Sequence, residues 1–186
     1  MERKVRWRKQ TLRLKDNHTW KAPSGYNVFV LDRGAVRFNF PKDWVTVPAS
    51  DCVALYDRRP PNDNCRLAVS YLRLPPMDWT GLPLDELIAS VIEGDQRRIL
   101  ARGDIIKADR ADLELAWREI RFQDPSENCE AFSRIALARG ANLQALITFD
   151  FWARDAAWLE SVWDEVMRTV ELGRFVSDPT AGDTLH

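Results

Sequence analysis

Histidine is almost missing from this chain, cysteine is scarce, glycine is thinly scattered and no long apolar run occurs. Each shortage removes a class of function. His18 and His186, the two histidines, lie near opposite ends of 186 residues, which leaves little for acid–base chemistry near neutral pH. Cys52, Cys65 and Cys129 are odd in number and far apart, with no C-x-x-C or Cys/His metal spacing, so neither structural zinc nor another metal or cofactor is expected. The eight glycines form no G-x-G-x-x-G or phosphate-binding loop, and neither G-x-S-x-G nor H-E-x-x-H occurs. With no apolar leader after Met1 and no run of membrane-spanning length, the chain is expected to act in a reducing cytoplasm.

Net charge is also nearly absent, at −1, but its distribution is uneven. Residues 1–21 carry eight basic side chains against Glu2 and Asp16, a local charge of +6 that leaves −7 on the rest. This marks residues 1–25 as a basic arm, followed by a body over 26–173 and a loose tail over 174–186. In the arm, Arg3, Lys4, Arg6, Trp7, Arg8 and Lys9 interleave cations with an aromatic ring, the pattern of a single-strand nucleic-acid contact. The preferred reading is plainer: a half-exposed edge whose cations face water.

What the chain does have is period. Leu143, Ala145, Ile147, Phe149 and Phe151 share one face of a strand, with Gln144, Leu146, Thr148, Asp150 and Trp152 on the other. Trp158, Leu159, Val162, Trp163, Val166, Met167 and Val170 then repeat as a helical stripe, with Asp155 as its expected N-cap and Gly173 as its C′ residue. Burial of Trp158 and Trp163 is expected to make each worth about 3–5 kcal/mol on truncation to alanine. Upstream, Leu84, Leu87, Ile88, Val91, Ile92 and Ile99 form a second helical stripe behind Pro83. Strands are expected over 26–32, 35–41, 52–57, 66–74, 113–123 and 129–139, and at 105–108 beyond the helix. In the second of these, Val36, Phe38 and Phe40 face one way, and Arg37 and Asn39 the other. Short alternations at Val5–Trp7 and Leu12–Leu14 suit strands in the arm. Consecutive strands joined by tight turns imply an antiparallel sheet of six or seven strands covered by two helices, an α+β sandwich.

Among polar groups, Asp150 stands out between Phe149 and Phe151. On the mixed face it is expected to meet Arg118, Arg121 or Arg134 from the preceding strands, as a cross-strand ion pair or as the carboxylate of a small-molecule pocket. Cys52 and Cys129 read as small buried hydrophobes. The run Asp57-Arg-Arg-Pro-Pro-Asn-Asp-Asn64 reads as a turn, because it lacks the glycine and closing glutamate of a calcium loop. Trp44, Trp79 and Trp152 each sit beside a turn and are the expected exposed contacts.

The sequence Gly34-x-Val-x-Phe-x-Phe-Pro-x-x-Trp44, followed by strands, helix, strands and a closing helix that ends in Val170-x-Leu-Gly173, resembles the PsbP-like superfamily. That group includes the photosystem extrinsic protein PsbP, a Ran-binding nuclear import factor and bacterial DcrB-type proteins. The resemblance spans about residues 26–173 and implies a sheet covered by a closing helix and a partner-binding role without catalytic residues. The chain departs from PsbP in lacking a lumenal targeting segment and in carrying its basic arm. Three readings therefore stand in order: a non-catalytic adaptor or chaperone-like module that holds another protein; a small-molecule binder or atypical enzyme around Asp150; and a nucleic-acid binder acting through the arm. The sequence specifies no oligomeric state.

Overall fold

Alternation at period two becomes sheet throughout the chain. The structure is a computed structural model that describes residues 8–79, 81–108 and 110–182. In order it forms β1 (Tyr26–Leu31), β2 (Val36–Pro41), β3 (Val45–Pro48), β4 (Val53–Tyr56), β5 (Cys65–Arg73), α1 (Leu84–Glu93), β6 (Arg98–Ala108), β7 (Glu114–Asp124), β8 (Cys129–Gly140), β9 (Leu143–Trp152), α2 (Ala156–Thr169) and β10 (Glu171–Leu172). Seven strands make one antiparallel sheet in the order β3-β4-β5-β9-β8-β7-β6, and a smaller sheet runs β1-β2-β10. The turn joining β8 to β9 is two residues, Ala141 and Asn142, both at positive φ as a type I′ hairpin requires.

The large sheet separates two apolar layers. On one face the odd-numbered residues of β9, from Leu143 to Phe151, meet Leu159, Val162, Trp163 and Val166 of α2 together with Phe29, Phe38 and Phe40 of the smaller sheet. On the other, Leu84, Ile88 and Ile92 of α1 pack on Ala116 and Ile120 of β7 and Ile135 and Leu137 of β8. Helices on both faces of an antiparallel sheet are the α+β sandwich expected from the pattern. Among the described residues no helix is long and apolar enough to cross a membrane.

Several local expectations are corrected. Helix α1 stops at Glu93, and Ile99 belongs to β6. The cause is Asp95, whose Oδ1 accepts the Arg97 backbone N–H at 2.9 Å and draws the chain out of the helix. Trp163 is only 1% exposed, but Trp158 is 45% exposed and donates its Nε1–H to Asp155 at 3.3 Å. The buried stripe starts at Leu159, one residue and some 100° around the helix from Trp158. Asp155 makes no side-chain cap, because a short 3₁₀ turn over Ala153–Asp155 leads into the helix. Gly173, at φ +67°, follows β10 rather than the helix, since the chain leaves α2 to pair Glu171 and Leu172 with β2. Arg37 and Asn39 are buried too: Arg37 pairs with Glu171, and Asn39 Nδ2 donates to Glu165 at 2.7 Å.

The segments 15–20 and 178–182 hold one another. Leu12 and Leu14 are exposed and form no strand; Val5–Trp7 falls outside the described residues. Beyond them, the backbone N–H groups of Lys15 and Thr19 donate to the Thr180 and Ala181 carbonyls at 2.9 and 2.8 Å. Trp20 Nε1 donates to the Pro179 carbonyl at 2.7 Å, and the Arg37 guanidinium lies 5.3 Å above its ring. The described residues 174–182 are thus fastened where a loose tail was expected, with Val176 buried and its N–H on the Arg33 carbonyl at 2.9 Å.

Candidate functional site

Helix α1 lies over β7 and β8 and leaves the β3-β4-β5 side of the same sheet face without a helix. Where its flank overhangs that open side, a groove of about 300 Å³ forms. Leu87, Ser90 and Val91 make the helical wall, Ser70 and Leu72 of β5 the opposite wall, and Leu137 and Leu146 part of the floor. Register explains the arrangement. Ser70, Leu146 and Leu137 stand in one cross-strand row, and Leu72, Gln144, Arg139 and Glu114 in the next. Leu72 and Val91 are 51% and 43% exposed, so apolar surface at the rim faces solvent. A groove of this size with apolar walls and a few hydroxyl and amide groups suits one or two apolar side chains of a binding partner.

A polar lattice lies further along the same face. Arg97 Nη1 donates to Asp150 Oδ1 at 3.1 Å, while its Nε and Nη2 bind Asp95 Oδ2 at 2.9 and 2.6 Å. The same guanidinium stacks 4.2 Å over the Phe122 ring. Arg66 approaches Asp150 from the other side at 4.0 Å and donates to Tyr56 Oη at 3.3 Å. Hydrogen bonding from Arg97 holds the Asp95 carboxyl below the usual range despite burial. Burial pushes the thiols of Cys52 and Cys65 up, which keeps both protonated and weakly nucleophilic.

The partners expected for Asp150 are therefore replaced. Arg118 donates to the Gly103 carbonyl at 2.6 Å, and Arg121 approaches Glu130 at 3.6 Å. Arg134 faces the opposite side of the sheet, because its register partner is Phe149 and that of Asp150 is Ser133. There it is buried on Glu119 at 2.7 Å, between the rings of Trp117, Phe151 and Trp163. The groove beside α1 does not include Asp150.

Nor do the three tryptophans make one surface. Trp44, expected to be exposed, is buried against Phe149 with ring centres 6.0 Å apart, because the chain turns inward between β2 and β3. Trp79 is half-buried in the 74–83 loop, where its Nε1–H reaches the Pro75 carbonyl at 3.2 Å, and Trp152 closes the far end of β9. Of the arm residues, Arg8 and Lys9 are exposed, and Arg3, Lys4, Arg6 and Trp7 lie outside the described residues. Sequence reasoning missed Leu72, Val91 and Arg97. Leu146, an apolar residue on the mixed face of β9, was the available signal for the groove.

An antiparallel sheet with helices on both faces and a smaller sheet beside α2 make an α+β sandwich of PsbP-like fold. Comparison with solved structures agrees. The solution structure of cyanobacterial PsbP (CyanoP) from Synechocystis sp. PCC 6803 superposes with a TM-score of 0.59 at 15% identity, covering 81% of this chain and 94% of that one. LpqN of Mycobacterium tuberculosis, described as involved in cell envelope biogenesis, gives 0.54 at 10% identity over 79% and 90%. A mutant of Mog1 gives 0.51 at 10% over 79% and 95%. At such identities the likeness is one of fold. The family model described as Alr1449 matches residues 27–176, and the chain belongs to that family. A Nostoc sp. relative, "Uncharacterized protein alr1449", is 46% identical over 179 residues, 96% of this chain and 93% of its own length.

Proposed function

We propose that the protein is a non-catalytic adaptor or chaperone-like module that holds an apolar segment of another protein in the groove between α1 and β5, acting in the cytoplasm. The observation that carries this reading is the groove itself, with solvent-facing Leu72 and Val91 at the rim where α1 stops covering the sheet face. Its walls come from a rigid strand and a rigid helix, so little ordering accompanies binding. The PsbP-like fold supports the same reading by analogy alone. The lattice around Asp150 acts as a brace, because it ties the exit of α1 to β9 and β5 and thereby fixes the groove's width.

The test places aspartate at the rim. Leu72→Asp and Val91→Asp put a charge on surface that is already largely exposed, so the fold is expected to survive, as far-UV circular dichroism would show. A protein co-purified and cross-linked by the wild type is expected to be lost from both variants. Retention of that protein by both, or substrate turnover by the pure wild type, overturns the reading.

A further inference from the structure

A second hollow, of about 330 Å³, opens on the other flank of α1, at its N-terminus. Pro83 and Leu84 form the helical rim, Lys107 and Arg110 stand on the β6 side, Leu113 adds an apolar wall, and Arg139 forms the floor. The Arg139 side chain is only 5% exposed. Its Nη2 donates to Glu114 Oε2 at 2.7 Å, but Nε and Nη1 are buried with no hydrogen-bond partner among the described residues. A guanidinium stays charged at any physiological pH, and buried donors left unmet are costly. The positive end of α1 adds to the field at the same place.

The surrounding charges balance. Lys107 pairs with Asp85 at 2.8 Å, Arg110 with Asp112, and Arg139 with Glu114. Attraction to an anion therefore comes from the unmet N–H groups of Arg139 and the helix end rather than from net charge. That favours a singly charged head over a phosphate, whose second charge would meet Glu114 and Asp85. Leucine and alanine walls favour an apolar body behind the head.

We propose that this hollow is a binding site for a small carboxylate with an apolar body, received by Arg139. It is separate from the groove proposed for a partner protein, and either site is able to exist without the other.

Benzoate, benzamide and inorganic phosphate are the probes, followed by nuclear magnetic resonance at the Arg139 Nε–H and the Leu84 amide. Benzoate is expected to shift both signals saturably and to bind about tenfold or more tightly than benzamide, its neutral counterpart. Arg139→Lys, checked for folding by circular dichroism, is expected to weaken benzoate binding about tenfold or more. Should that variant fail to fold, Glu114→Gln keeps the idea testable. It releases Arg139 from its competing carboxylate at an exposed position, so benzoate binding tightens several-fold. Equal binding of benzoate and benzamide, tighter binding of phosphate, no saturation at the solubility limit, or no change in Glu114→Gln overturns the proposal.

Discussion

Trp158 and Trp163 lie five residues apart in the same sequence stripe, yet the structure assigns their truncations to alanine different costs. Trp163 is enclosed: its ring stacks on Phe149 at 6.0 Å and 10°, meets Trp117 edge-on at 5.5 Å and 72°, and lies 5.9 Å from the Arg134 guanidinium. Burying a tryptophan removes about 150–250 Å² from water. At about 25 cal/mol per Å² this is roughly 4–6 kcal/mol, an upper bound because unfolded chains already hide some surface. Measured truncations of this kind cost about 3–5 kcal/mol, and loss of the ring pairs places Trp163→Ala at the top of that range. Trp158 has solvent over nearly half its surface and one hydrogen bond to an adjacent turn, so its truncation is expected to cost about 1 kcal/mol or less. Urea unfolding followed by far-UV circular dichroism avoids relying on the emission of the residues being changed. A gap of about 2 kcal/mol or more is expected, with melting some 5–15 °C lower for Trp163→Ala. Equal costs for the two variants would refute the packing assigned to α2.

Other outcomes follow from the same structure. Asp178 is held well below the usual carboxylate range, chiefly by its hydrogen bond from Lys15 and then by Thr180. A depressed pKa stabilises the fold above the ordinary value near 3.9 and loses that contribution as pH falls. Protection of the Lys15 and Thr19 amides, relative to their intrinsic exchange rates at each pH, is therefore expected to fall on acidification before that of the sheet, and Asp178→Asn is expected to reproduce this loss at neutral pH. Burial and the hydrogen bond to Asp32 push Tyr71 up to about 12. Its stabilisation is in place below pH 10 and lost between about 10 and 12, a dependence that Tyr71→Phe is expected to flatten in alkaline unfolding curves. Gly34 adopts φ +115°, and a Cβ there would run into the Arg174 carbonyl. Gly34→Ala is expected to cost about 2–4 kcal/mol in urea unfolding, whereas the open position of Gly25→Ala bears only the strain of its φ.

The strands were legible because the side chains of β9 and β2 alternate between a packed layer and a second environment, and period two reports that directly. Sequence could not say that the second environment of β2 is also covered. Arg37 and Asn39 read as outward-facing because their partners, Glu171 and Glu165, arrive from more than 120 residues away. A single-residue shift separates Arg134 from Asp150: Arg134 on β8 stands opposite Phe149 of β9, and alternation sends Phe149 and Asp150 to opposite faces. The true partner, Arg97, sits in the turn after α1, outside any periodic element. Trp44 looked exposed because it follows Pro41 in a turn, but the turn folds inward onto Phe149. The groove was least legible, since it results from where α1 stops covering the sheet, and that depends on helix placement rather than on pattern.

The most direct measurement for the proposed holding function places a photo-cross-linking residue at Leu72 or at Trp158 and compares what each captures. The account expects one protein joined through position 72, lost when Val91→Asp is added, and not joined through position 158 on the opposite face. Capture of the same protein from both positions, unaffected by Val91→Asp, would contradict it.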